Sequence, residues 1–429
     1  VPLSDRGPAA GQTPGPLGPP AAQDTTPGAS RGRVLAANVA GLHRAFTPSC
    51  HGGRANSEGA EALRRYLGGM LPVFDCHADA LQRALDLGHD LGQETHGHLD
   101  LVRGRRGGLA AVVLTAWIDG PYAEEPGAAK RRTNALLDAA DDLFARHPDG
   151  LRQVVDGATM LEPDPSRLAC VLAIEGGHAI EDDLDQLDHY AARGVRVMTL
   201  TWNNHLSWAR SCRDGAGASV PEGLSDFGVR VVERMGELGM LVDLSHAGER
   251  TFYDALEAAA APPMVSHSGC RALSDHPRNV TDDQLRALAQ RGGVLGVPFA
   301  TAFLDEDERR AEQAFRKTEA YRNAGGDNAT ERLLLEGDAI QSGMPPFPLD
   351  RVADHVLHAL DVAGPRHVAL GADFDGIDRR PAGLEDASGY PALLEVLARR
   401  GVDQETLGLV AYHNAARAIA EATASAVTR

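Results

Sequence analysis

Eight short apolar runs recur between residues 71 and 372, and they constrain the fold more than any other feature of the chain. They occupy 71–77, 110–117, 168–175, 195–202, 240–245, 264–266, 293–299 and 368–372. The runs are nearly unbroken rather than alternating, which is the pattern of strands buried on both faces of a parallel sheet. Most of the intervals carry helical periodicity, over 129–146, 184–192, 226–238, 248–259, 282–290 and 349–362. Eight strands with interleaved helices predict an α/β fold, a (β/α)8 TIM-type barrel. Residues 389–400 and 404–420 read as closing helices, and 58–67 as a helix leading into the first strand.

The runs end on polar residues of a particular kind. His77 and Asp79 close the first, Glu175 the third, His246 the fifth, His267 the sixth and Asp373 the last. In a parallel barrel all these ends meet at one rim, the rim where barrel enzymes carry their chemistry. Alone, a His-x-Asp pair or a histidine at a strand end is an ordinary hydrogen-bonded core residue. Together, His77, Asp79, Glu175, His246 and His267 come from four strands and would form a desolvated polar cluster without compensation unless they bind cations. The spacing of His77 and Asp79 at i and i+2 lets both grip one ion. Glu175 has two oxygens that can serve two ions and a hydroxide shared between them. Mixed imidazole and carboxylate ligands suit zinc better than magnesium or calcium, with manganese, iron and cobalt as alternatives.

Composition bounds the remainder. At 429 residues the chain is long enough for one such barrel, and its formal net charge of -18 argues against nucleic acid or an anionic membrane surface as partner. No apolar run approaches the roughly 20 residues that span a bilayer. Cys50, Cys76, Cys170, Cys212 and Cys270 are odd in number and scattered, which fits a reducing cytosol better than a disulfide framework. A soluble, cytoplasmic protein is expected. Residues 1–33 are rich in Pro, Gly, Ala and Ser and read as a disordered tail, so the barrel domain is expected over 34–429. The charged segment 305–347 after the seventh run is expected to be a lid or substrate wall on the catalytic face.

From about Leu71 to Ala420 the chain resembles the membrane (renal-type) dipeptidases, the M19 peptidases of the amidohydrolase superfamily. The motifs that carry the resemblance are Asp75-Cys-His-Ala-Asp79, Ile174-Glu-Gly-Gly-His178, Val242-Asp-Leu-Ser-His246, Val265-Ser-His-Ser268, Pro277-Arg-Asn-Val280 and Gly371-Ala-Asp-Phe-Asp-Gly376. Gly383-Leu-Glu-Asp386 with Tyr390-Pro391 belongs to the same set. The resemblance implies a binuclear zinc centre in which His77 and Asp79 hold one ion, His246 and His267 the other, and Glu175 bridges both. It implies that a metal-bridging hydroxide cleaves dipeptides, with a D-residue tolerated at the C-terminal position. Arg278 is then the arginine that binds the substrate's carboxylate, a task suited to its planar fork. Asp373 is the acid/base aspartate that carries a proton to the leaving amine, while Asp375 reads as a loop-stabilising carboxylate. A homodimer is implied as well.

One position departs from the family. A histidine that contacts the substrate carbonyl usually follows the fourth-strand Thr-Leu-Thr, and this chain has Trp202 there. An indole offers one hydrogen-bond donor and no imidazolium. Either His205 reaches in from three residues further on, or the pocket takes another amide or lactone, such as an N-acyl amino acid. A reading from another class is a catalytically silent barrel that binds a peptide through 305–347, although no metal ligand is missing.

Overall fold

The computed structural model describes residues 70–164 and 166–426. The expected tail over 1–33 and the expected helix over 58–67 lie outside the described residues. Among the described residues nine strands form one sheet: β1 Val73–Ala78, β2 Leu109–Trp117, β3 Leu151–Gln153, β4 Leu168–Glu175, β5 Val195–Thr199, β6 Leu241–Asp243, β7 Met264–Val265, β8 Val294–Val297 and β9 Val368–Leu370. The order β2-β1-β9-β8-β7-β6-β5-β4 is closed by pairing of β2 with β4, so eight strands form a ring. Every pairing is parallel. This is the barrel expected from the eight runs. β3 is the addition: it pairs with Leu168, Ala169 and Cys170 of β4, along the edge that β5 takes over at Leu172.

Both faces of these strands are buried, which is why the runs are uninterrupted. One apolar cluster fills the barrel and includes Phe74, Val113, Val171, Val197 and Leu241, together with Tyr412, Ala415 and Ile419 from the C-terminal segment. A larger cluster lies between the strands and the surrounding helices. Those helices span Ala128–Arg146, Asp185–Ala192, Asp226–Glu237, Glu249–Ala258, Asp282–Gln290 and Asp350–Ala363, within two residues of the spans read from periodicity. The closing segment is Tyr390–Arg399 and then Gln404–Gly408 and Asn414–Ala424 with a π-helical turn between them.

The expected strand over 195–202 ends instead at Thr199. Beyond it the chain leaves the ladder as a loop that carries Trp202, Asn203 and His205 over the rim. The segment after β8 is a helical excursion, Thr301–Leu304, Glu306–Phe315, Glu319–Arg322 and Ala329–Gly343. Ion pairs Arg316 to Asp378 and Arg379 to Glu308 tie it to the loop after β9.

Candidate metal centre

The functional side chains gather at the strand ends: His77 and Glu175 are among the last residues of β1 and β4, and Asp79, His246, His267 and Asp373 lie in the turns that follow their strands. β1 stops at Ala78, and its register with β2 slips between Asp75 and Ala78, so His77 and Asp79 leave the regular pleat. His246, Asp373 and Asp375 have φ of 65°, 62° and 68°, a left-handed conformation that costs a non-glycine residue on the order of 1 kcal/mol or more. Surrounding contacts hold that strain. Asp375 accepts hydrogen bonds from Arg83 Nη2 at 2.8 Å, His98 N at 2.6 Å and Leu99 N at 3.2 Å, which fixes the loop carrying Asp373.

Glu175 stands at the centre. Its Oε1 lies 2.8 Å from Nε2 of His246 and 3.4 Å from Nε2 of His267, and its Oε2 lies 3.6 Å from Nε2 of His77. Asp79 Oδ1 is 3.5 Å from the same His77 nitrogen. His77, Glu175 and His267 offer ligand atoms all within 4.8 Å of one another, and so do His77, Asp79 and Asp373. His77 belongs to both groups, and all these side chains are buried.

The second nitrogen of each imidazole is engaged away from this centre. His246 Nδ1 is 3.2 Å from Asn203 Oδ1, His267 Nδ1 is 2.7 Å from Ser266 Oγ, and His77 Nδ1 is 3.3 Å from that same oxygen. The Asn203 carbonyl can only accept, so it takes the Nδ1 proton of His246. Ser266 donates its own proton to Asp243 Oδ2 at 2.6 Å, so its oxygen is free to accept from His267. Both rings then turn Nε2 lone pairs toward Glu175, with the two nitrogens 3.2 Å apart. Lone pairs converging on a carboxylate repel unless a cation lies among them. His77 Nε2 and Asp79 Oδ1 are buried without a hydrogen-bond partner, which is the same signature. The donor set therefore fits divalent cations of the nitrogen- and oxygen-binding kind.

Electrostatics point the same way. Burial alone would raise Glu175, but the charge of His77 above all holds it well below the carboxylate range. Burial alone would lower His77, yet Glu175 and Asp79 lift it well above its ordinary value. Burial lifts Asp79 to about 6 and lowers His246 to about 4, Arg278 adding to the latter. Burial, with the charges of Asp79 and Glu175, raises Asp373 well above its usual range. Among its buried imidazoles and carboxylates the site gains positive charge only by protonating His77.

A cavity of about 400 Å³ opens above these groups. Arg278 enters it from the loop after β7, where Nη2 reaches His267 O at 3.3 Å and Nη1 reaches Ser268 Oγ at 3.4 Å. Its guanidinium lies 5.4 Å from the Phe303 ring and, among the described residues, pairs with no carboxylate. Trp202 also lines the cavity, 5.4 Å edge-on from Trp117 and 6.3 Å from the His246 ring. His205 does not line it: its Nδ1 faces Ser211 N and Oγ at 3.3 Å. Asn203, from the same loop, lines it instead. Sequence reasoning also passed over Asp243 and Ser266, although both sit in the motifs that end β6 and β7.

The membrane dipeptidase family, peptidase family M19, matches residues 63–428. The chain belongs to that family. It is 33% identical over 320 residues to an uncharacterised dipeptidase of Schizosaccharomyces pombe, covering 72% of this chain and 68% of that one. It is 32% identical over 316 residues to rat dipeptidase 3, covering 73% of this chain and 56% of the rat protein. Among solved structures, a metallopeptidase of Rhodobacter sphaeroides, bound to a phosphinate mimic of the dipeptide L-Ala-D-Ala, superposes with a TM-score of 0.67 at 26% identity, over 82% of this chain and 99% of that one. M19 members are metal-dependent hydrolases of peptide bonds. Among the described residues no helix is long and apolar enough to cross a membrane.

Proposed function

We propose that this M19 chain is a binuclear zinc dipeptidase that accepts a D-residue at the C-terminal position. The observation that carries the reading is the position of Glu175, one carboxylate with one oxygen toward His246 and His267 and the other toward His77. His77 and Asp79 would hold one ion, His246 and His267 the second, and Glu175 both. Two such ions supply a water acidified toward neutrality and a Lewis acid for the scissile carbonyl. Arg278 fixes the substrate's carboxylate with its two-pronged donor edge. Asp373, buried and raised in pKa, takes the proton that the attacking water gives up and passes it to the leaving amine as the C–N bond breaks. The phosphinate mimic bound by the Rhodobacter relative supports both the dipeptide and the D-residue. The segment after β8 serves as a lid, since Glu312, Arg316 and Leu333 line the cavity.

The proposal extends to a homodimer in the cytosol, where Cys76, Cys170, Cys212 and Cys270 would keep the free thiols they have here. Trp202 favours a second reading, hydrolysis of N-acyl amino acids or lactones, because the cavity has an indole where the family's carbonyl-contacting histidine is expected. Metal analysis of the purified protein, followed by assay on Ala-Ala and Ala-D-Ala beside N-acyl amino acids, separates the two. Two zinc equivalents per subunit and turnover of both dipeptides are expected. Inert dipeptides with active acyl substrates would leave the metal centre standing and remove the dipeptidase assignment.

A further inference from the structure

A second cavity of about 380 Å³ adjoins the metal cavity at the end of β2, and Trp117 and Asp119 line both. Its outer wall comes from Asn328, Ala329 and Thr330 at the start of the helix Ala329–Gly343, and its remaining wall includes Leu85, Tyr122 and Arg132. Arg132 is already engaged. Its two terminal nitrogens meet the two oxygens of Asp86 at 2.6 Å each, and its guanidinium lies 5.5 Å from the Tyr122 ring. Thr330 donates to the same Asp86 at 2.5 Å.

Asp119 is different. It is half-buried, and among the described residues no Lys, Arg or His forms an ion pair with it. Burial raises its pKa against the pull of the Gly120 N–H and the charge of Arg132. A half-buried carboxylate with no ion-pair partner among the described residues, in a wall that also holds the indole of Trp117 and the phenol of Tyr122, is a seat that a ligand's cation would stabilise.

The barrel's order says which part of a substrate reaches it. Around the ring β1-β2-β4-β5-β6-β7-β8-β9, β2 and β7 stand four places apart and so face each other. Arg278 folds back onto His267 and Ser268, at the end of β7. A dipeptide with its carboxylate on Arg278 therefore crosses the metal centre with its N-terminal residue directed at β2. Trp117 is the register partner of Glu175, so the mouth of the second cavity opens beside the bridging carboxylate. We propose that this second cavity seats the side chain of the substrate's N-terminal residue, and that Asp119 selects dipeptides in which that side chain is cationic, as in lysine or arginine. The proposal rests on the dipeptidase reading above.

The test compares lysyl-alanine with norleucyl-alanine, which has a side chain of similar length without the charge. The wild-type enzyme is expected to favour lysyl-alanine in kcat/KM by about tenfold, the scale of one charge-assisted contact. Asp119→Asn is expected to collapse that ratio toward one, mainly through KM, and Asp119→Lys to invert it. No wild-type preference, or equal losses on both substrates in Asp119→Asn, would overturn the proposal. Should the wild type hydrolyse neither dipeptide, the parent reading fails by itself. Calorimetric binding of the same two dipeptides to zinc-loaded protein, with and without Asp119→Asn, then decides: tighter lysyl-alanine binding that depends on Asp119 supports the selective seat, and equal affinities reject it.

Discussion

The hydroxyl oxygen of Ser266 lies 2.7 Å from Nδ1 of His267, the next residue in the chain. Because Ser266 gives its own proton to Asp243, the contact fixes the His267 tautomer with Nε2 unprotonated toward Glu175. Such supporting contacts raise ligand basicity and are worth about 10- to 100-fold in metal affinity. Ser266→Ala should therefore weaken zinc binding by that factor in a chelator competition titration, with the fold retained by circular dichroism. Asp243→Asn should do the same, since an amide can donate to Ser266 and reverse the relay. Unchanged affinity in both variants would remove Ser266 from the metal centre's support.

Arg278 is nearly buried, stacked near Phe303, and unpaired with any carboxylate among the described residues, while its Nε has no hydrogen-bond partner. A guanidinium held in that way is ready for an incoming carboxylate. Arg278→Met should raise KM for dipeptides by about 100-fold, with a smaller change in kcat, because the lost contact serves substrate and transition state alike. Dipeptide amides, which lack the carboxylate, should be poor substrates of the wild type and should lose little further in the variant. Parallel kinetics on one dipeptide and its amide check both halves.

Which parts of this architecture were legible in the sequence follows from where the information sits. The eight ring strands announce themselves because both faces are buried, so Val171 and Leu172 are equally apolar. β3 does not, since only Leu151 of its three residues is buried. The helices Leu81–Leu87 and Leu101–Arg106 bury arginines Arg83 and Arg103 along with leucines, and their polar faces hide the period. The helix Ala329–Gly343 buries Thr330 and Gly337 beside Leu334 and Ile340, which blurs its stripe in the same way. His77, Asp79, Glu175, His246 and His267 were nominated by their places at run ends, and the barrel brings them together. Arg278 lies thirteen residues beyond β7, and its loop returns to the rim through non-adjacent contacts such as the bridge between Cys270 and Val280, which have no local signal. Family resemblance found it; periodicity could not.

Glu312 gives a pH dependence whose sign can be worked out. It is buried in the helix Glu306–Phe315, and burial lifts its carboxyl to about 7 despite the hydrogen bond from Thr301 and the charge of Arg316. The folded state thus holds the proton more tightly than the unfolded chain. Stability is full below the unfolded value near 4.5 and falls as pH rises from there through about 7, by roughly 3 kcal/mol at most. Glu312→Gln has no such proton to lose. Its stability relative to wild type should climb between pH 5 and pH 7.5 in denaturant titrations and level off above. A difference between the two proteins that stays constant across that range would mean Glu312 titrates normally.

Gly376, in the loop after β9, faces two carboxylates of the centre. A Cβ at this position would sit 2.2 Å from Asp79 Oδ2 and 2.5 Å from Asp373 Oδ1, far inside contact distance. The clashing atoms are the ends of side chains, so the barrel can survive Gly376→Ala by moving them. That movement, however, falls on one proposed ligand and on the proposed proton carrier at once. Displacements near 1 Å at reacting groups cost on the order of 100-fold in rate. Gly376→Ala is therefore expected to lose about that much kcat while its melting temperature drops by only a few degrees. Zinc content, measured after dialysis against a weak chelator, separates the two contributions: retained metal with lost turnover places the damage at Asp373, and lost metal places it at Asp79.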